Sequence, residues 1–173
     1  MNNLIILSGP IGAGKTTVAR ELIKLLPRPT IYMEGDVFWQ FIAKGSPRPD
    51  EHHHFKITII AMLAAAAQYG RYDYDVLLDF SITPGFLETM QKMAVKKDLQ
   101  LHYVVLRPSE QTCALRAATR SEGIIEHYEK YHNLYTAFDG VQQYIVPDDT
   151  GEPLAIAEKV QQGLNEGVFL VKQ

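Results

Sequence analysis

Residues 9–16 of this 173-residue chain read Gly-Pro-Ile-Gly-Ala-Gly-Lys-Thr, and few local folds accommodate that order. Gly9, Gly12 and Gly14 give a backbone that curls through left-handed conformations and approaches a ligand with no Cβ in the way. The spacing G-x-x-x-x-G-K-[ST] is that of the P-loop, whose amide N–H groups cradle phosphates. Its flanks agree. Leu4–Leu7 is a short apolar run, the composition of a strand buried on both faces. Beyond the loop, Val18, Leu22 and Leu25 recur at helical spacing, with Ala19, Ile23 and Leu26 widening the same face. Strand, glycine-rich loop and helix in this order predict that the amides of residues 12–16 point inward at the positive end of a helix starting near Lys15. In that setting Lys15 supplies a charge to the β- and γ-phosphates and the Thr16 hydroxyl ligates Mg²⁺. Gly9, Gly12, Ala13, Gly14, Lys15, Thr16 and Thr17 form the candidate phosphate-binding set.

The remaining composition limits the partners. A net charge of −3 and scattered basic residues leave no electrostatic footprint for a nucleic acid, which argues against a polynucleotide substrate. Cys113 is the only cysteine, so no internal disulfide forms, and its Ala-rich helical surroundings predict a buried thiol. The longest apolar run, Ile59–Ala67, is too short to cross a bilayer. Met1-Asn2-Asn3 leads into the first strand without a basic leader, so a cytoplasmic location is expected, as a monomer or homodimer without membrane partners.

Strand-like and helix-like segments alternate, which predicts a parallel sheet covered by helices. Strands are expected at Leu4–Leu7, Thr30–Met33, Asp75–Phe80, Leu101–Leu106 and Tyr144–Val146. After the helix behind the P-loop, a second is expected at Asp36–Ala43, followed by a loop at Gly45–Asp50. A long third helix has Phe55, Ile59, Met62 and Ala66 on its core face and stops at Tyr69-Gly70. Thr83 and Pro84 read as N-cap and first-turn proline of a helix running to about Lys97. Ser109 is expected to cap a helix carrying Leu115, Arg116 and Arg120, interrupted at Ser121-Glu122-Gly123 and resumed over Ile125–Phe138. Tyr128, Tyr131, Tyr135 and Phe138 on that last stretch read as core packing, and Pro153–Leu164 as a final helix. A single domain over residues 1–173 is expected, with a short lid around 116–126.

In an open parallel sheet ligands bind beyond the carboxyl ends of the strands. Polar residues there are Glu34 and Asp36, Asp79, Arg107, and Asp148-Asp149-Thr150. Asp36 is the candidate catalytic base, able to take a proton from a substrate hydroxyl, with Trp39 and Gln40 on the same side of its helix. Its competing role is a helix N-cap. Asp79 ends its strand as a metal-holding carboxylate does. Arg116 and Arg120, four apart on one helical face, are placed to neutralise charge on a transferring phosphate. His52-His53-His54 does not have the spacing of a metal site. Together with Glu34 and Arg48 these histidines are further candidates for substrate contact.

Taken together, Gly9–Thr16, Glu34-Gly35-Asp36, Asp79 and Arg116–Arg120 resemble the small P-loop kinases of the gluconate kinase, shikimate kinase and chloramphenicol phosphotransferase group. The resemblance spans essentially the whole chain. It implies a three-layer α/β/α P-loop NTPase fold with a five-stranded parallel sheet in the order 2-3-1-4-5. It also implies ATP and Mg²⁺ as cosubstrates and transfer of the γ-phosphoryl group to a hydroxyl of a sugar acid, nucleoside or antibiotic. On the matching positions, Asp36 becomes the acceptor-side base, Arg116 the arginine packing on adenine, and Arg120 the one reaching the phosphates. The loop at 148–152 would border the adenine. The stretch Phe80-Ser81-Ile82-Thr83 departs from the glycine-rich run of shikimate kinases, and their arginine-rich acceptor site has no match. No N-K-x-D or L-S-G-G-Q motif occurs, which disfavours a GTPase or an ABC subunit. The alternatives are a nucleotide-binding regulatory module without an acceptor and a toxin- or polynucleotide-type kinase.

Overall fold

The computed structural model describes residues 1–45, 51–120, 123–146 and 151–172, with backbone only at 51 and 52. The strands are β1 (Asn2–Ser8), β2 (Thr30–Glu34), β3 (Asp75–Asp79), β4 (Leu99–Leu106) and β5 (Ile145–Val146). Between them run α1 (Lys15–Leu25), α2 (Gly35–Gln40), α3 (Glu51–Gly70), α4 (Leu87–Lys96), α5 (Glu110–Ala118) and α6 (His132–Thr136), and α7 (Pro153–Asn165) follows β5. All strand pairings are parallel, in the order β2-β3-β1-β4-β5.

Period-two alternation along the strands divides the core into two layers. Leu4 and Ile6 of β1, with Val76, Leu78, Leu101 and Tyr103, face Ile59, Met62 and Ala66 of α3 and Met90 of α4. Ile5 and Leu7, with Leu77, Val104 and Leu106, face Val18 and Leu22 of α1, Cys113 and Ala117 of α5, and Val160 of α7. Because β1 is covered on both sides, its run Leu4–Leu7 is wholly buried, as its unbroken apolarity requires. Register then levels the carboxyl ends: Asp79 pairs with Leu7 on one side and Glu34 on the other. Three strand ends thus open onto one rim.

Several expected boundaries move. The second helix stops at Gln40 rather than Ala43, because Phe41 and Ile42 donate to Phe38 and Trp39 in tight i→i+3 bonds that close the turn. Thr83 does not cap through its side chain; Pro84–Phe86 forms a 3₁₀ turn that feeds α4. Ser109 does cap, accepting from the Thr112 N–H at 3.2 Å. The stretch 125–138 is not one helix but a 3₁₀ turn at Tyr128–Tyr131 followed by α6. A tertiary bond accounts for part of this: the Ile125 N–H donates to Ala117 O at 3.1 Å and draws the chain back onto the end of α5. Within that stretch Tyr128 and Phe138 are core residues as expected, while Tyr131 and Tyr135 are half-buried. Among the described residues no helix is long and apolar enough to cross a membrane.

Candidate functional site

The loop after β1 has positive φ at Gly9 (138°), Gly12 (81°) and Gly14 (89°). Two of these glycines also pay a packing role. A Cβ at Gly9 would stand 2.1 Å from Leu106 O, and one at Gly12 would stand 2.1 Å from Cys113 O. The glycines therefore let β4 and α5 close onto the loop. Gly14 caps α1 with no side-chain hydrogen bond, leaving the first-turn amides for a ligand. The Ala13 N–H is an exception to the expected inward set, since it donates to Pro10 O at 3.2 Å within the loop's own turn.

Lys15, at the start of α1, donates from Nζ to Gly9 O (3.2 Å) and Pro10 O (3.0 Å). Burial lowers its pKa, the Asp79 carboxylate pushes it back up, and Arg120 lowers it further. The Thr16 hydroxyl donates to Asp79 Oδ2 at 2.7 Å. Two hard oxygen donors so close suit Mg²⁺, which binds few protein oxygens and keeps several waters. A second donor to the same Asp79 oxygen was not foreseen: Tyr32 OH, at 2.9 Å, with a longer contact of 3.4 Å to Glu34 Oε2. Burial, then the Asp79 charge, push the Tyr32 phenol well above its ordinary range. The signal was present in the sequence, since Tyr32 stands two residues before Glu34 and so on the same face of β2.

Asp36 is exposed in the first turn of α2, where Glu34 occupies the N-cap position, so Asp36 is not the cap. Gly35 is there for space: a Cβ would sit 2.1 Å from the Phe80 ring. The turn carrying Phe80 and Ser81 is fixed from below, where Ser8 Oγ and Tyr103 OH each donate to Ile82 O at 2.7 Å.

A single cavity of about 820 Å³ unites these parts. Gly12, Gly14, Lys15, Thr16 and Thr17 enter it from the P-loop, Asp36 and Trp39 from α2, and Asp79 from β3. Arg116, Thr119 and Arg120 line the other side. The two arginines do not share one helical face as expected, because α5 ends at Ala118 and Arg120 lies past its C-cap Thr119; the cavity still receives both. Arg116 Nη1 contacts Ala13 O at 3.5 Å, and a methyl group on Gly14 or Gly151 would lie 3.6 Å from its guanidinium nitrogens. Tyr128, expected only as core, also donates to Ile11 O at 2.7 Å and so holds the P-loop from the α5 side.

Arg107 does not join the cavity. It pairs with Asp139 and lies over the Tyr135 ring, 4.6 Å from its centroid. His54 meets Trp39 edge-on, with ring centroids 5.8 Å apart. Arg48, Ser121, Glu122 and Asp148–Thr150 lie outside the described residues.

A family model described as an AAA domain matches residues 4–130, well over half of the chain. The chain belongs to this AAA-domain family. Among curated proteins no sequence matches it significantly. Solved structures share the fold of this AAA domain. The Deinococcus radiodurans tunicamycin resistance protein superposes with a TM-score of 0.71 at 21% identity, over 100% of both chains. A gluconokinase from Sinorhizobium meliloti 1021 gives 0.64 at 20% identity, over 95% of this chain and 92% of its own. Shikimate kinase from Acinetobacter baumannii, in complex with shikimate, gives 0.64 at 18% identity, over 96% and 95%. At these identities the likeness concerns architecture, and the architecture is that of a P-loop kinase-like fold.

Proposed function

We propose that this protein transfers the γ-phosphoryl group of ATP to a hydroxyl of a small molecule, as a single domain with a short lid around 116–126. The observation that carries the reading is the shared cavity. It holds a P-loop lysine, a Thr–Asp oxygen pair and two arginines, and an exposed carboxylate, Asp36, opens onto the same space. A carboxylate that opens onto the space beside a phosphate site gives an acceptor hydroxyl a base to meet, which nucleotide binding alone does not require.

In this reading Gly12, Gly14, Lys15, Thr16 and Thr17 hold the phosphates, Gly9 and Ala13 shape the loop around them, and Arg116 packs on the adenine. Thr16 and Asp79 would hold Mg²⁺, which when bound offsets negative charge on the phosphates. The acceptor hydroxyl gives its proton to Asp36 as its oxygen bonds to the γ-phosphorus. The bond from that phosphorus to the bridging oxygen breaks, and ADP leaves with the electron pair. Arg120 and Lys15 balance the charge that spreads over the phosphoryl oxygens in between. Because little covalent work falls to the protein, positioning and electrostatics supply most of the acceleration. The test is an ATP-consumption screen over sugar acids, nucleosides, antibiotics and oligonucleotides. Acceptor-dependent turnover well above slow hydrolysis is expected. Hydrolysis unaffected by every acceptor would favour a regulatory module, and transfer confined to oligonucleotides would favour a polynucleotide kinase.

A further inference from the structure

The sheet order sorts the charges of the cavity. β2 lies two places to one side of β1 and β4 one place to the other. At about 4.8 Å per strand the ends of β2 and β4 lie about 14 Å apart, and from the β4 side Arg116 reaches back to Ala13 O at 3.5 Å. The segment after β2 contributes Glu34 and Asp36; the segment after β4 contributes Arg116 and Arg120; Lys15 stands between. Among the described residues no lysine or arginine enters the cavity from the β2 side. The wall there is Trp39, half-buried, with His54 packed edge-on against it at an interplanar angle of 75°.

We infer, building on the phosphotransferase reading, that the acceptor is a hydroxylated ring compound carrying no negative charge, either neutral or amine-bearing. Its apolar face lies on Trp39, and its hydroxyl or ammonium groups donate to Glu34 and Asp36. Carboxylates accept hydrogen bonds and offer none, so they match donors such as hydroxyl and ammonium. An indole wall suits the C–H face of a sugar or the plane of a base, and attracts a cation. A sugar acid placed there with its carboxylate toward Glu34 and Asp36 would meet like charge on both, a repulsive element that sets specificity. The nucleotide, a polyanion, is met by Lys15 at the centre and by Arg116 and Arg120 beyond it.

Trp39 is the chain's only tryptophan, so its emission reports the acceptor side alone. With ADP present in every arm, the protein is titrated with glucuronate, glucose and glucosamine, one pyranose framework in three charge states, and with uridine and kanamycin. Transfer from labelled ATP to each is measured in parallel. Neutral or amine-bearing probes are expected to shift Trp39 emission and to exceed glucuronate in kcat/KM by roughly 10²-fold, the size of a close like-charge penalty. Glu34→Gln is expected to narrow that gap by roughly tenfold, since it removes one of the two repelling charges. Glucuronate binding and reacting as well as its uncharged counterparts would overturn the inference while leaving the phosphotransferase reading intact. Emission changes with neutral probes but transfer to none would overturn the inference as a statement about an acceptor and leave a site that only binds neutral rings. A Trp39 signal that no probe moves, with ADP binding intact, would remove the acceptor from this wall.

Discussion

Tyr32→Phe removes one hydroxyl and leaves the ring, which makes it a direct probe of how the Asp79 carboxylate is held. Asp79 is 3% exposed, and its Oδ2 receives both Tyr32 OH at 2.9 Å and Thr16 Oγ1 at 2.7 Å. A hydrogen bond to a charged group contributes about 1.5–3 kcal/mol. Tyr32 is itself only half-buried, so water replaces part of the loss and about 1–2 kcal/mol is expected. For a domain of this size each kcal/mol moves Tm by about 2–4 °C, which places the fall at about 2–8 °C by calorimetry. The pH dependence carries a sign as well. The folded-state pKa of Tyr32 is raised above its ordinary 10.0, so its contribution is complete below pH 10.0 and is lost as pH rises beyond it. The wild-type chain should therefore lose stability in alkali more steeply than the variant. A thermodynamic cycle with Asp79→Asn isolates the pair. If Tyr32→Phe and Asp79→Asn add without coupling, or if Tyr32→Phe melts with the wild type, the hydroxyl does not hold the carboxylate and the reasoning fails.

Asp36→Asn should cut phosphoryl transfer by roughly 10²–10⁴-fold with ATP affinity and Tm unchanged, since basicity is lost and no cap is; retained transfer in a folded variant would remove Asp36 from the chemistry. Arg120→Ala should lower kcat more than it raises KM for ATP, and Arg116→Ala the reverse, which steady-state kinetics on both variants will distinguish. Gly12→Ala should be destabilised by about 2–4 kcal/mol in chemical denaturation, combining a disfavoured φ of 81° with a Cβ 2.1 Å from Cys113 O; an unshifted midpoint would mean α5 is not seated on the loop. Burial depresses the His102 pKa below 6.5, so its neutral form supports the fold above that pH and stability is lost as pH falls through the lowered value. His102→Gln should flatten the wild-type decline below pH 6.5, and an unchanged acid limb in melting curves would refute that assignment.

Local chemistry carried much of this protein's plan. Gly9–Thr16 determined a strand, a phosphate loop and a helix because only glycine tolerates those backbone angles and only a helix start offers such amides. The unbroken apolarity of Leu4–Leu7 and Val76–Leu78 determined that both strands are interior ones. Ser109 marked its own helix, since a cap is a contact between near neighbours. What periodicity could not decide is which distant groups meet. Arg107 stands at the carboxyl end of a strand as Asp79 does, yet it turns to Asp139 and Tyr135, because an ion pair and a ring lay within reach. Tyr128 fitted a core stripe, and only the docking of its 3₁₀ turn brought its hydroxyl to Ile11 O. Tyr32, Thr16 and Asp79 lie on three separate elements, and their convergence on one oxygen depends on the parallel register that levels β2 against β3. The separation of carboxylates from arginines is likewise a product of strand order. Order is set by how helices cover the two faces of the sheet, a sum of many weak burials that no single stretch of sequence contains.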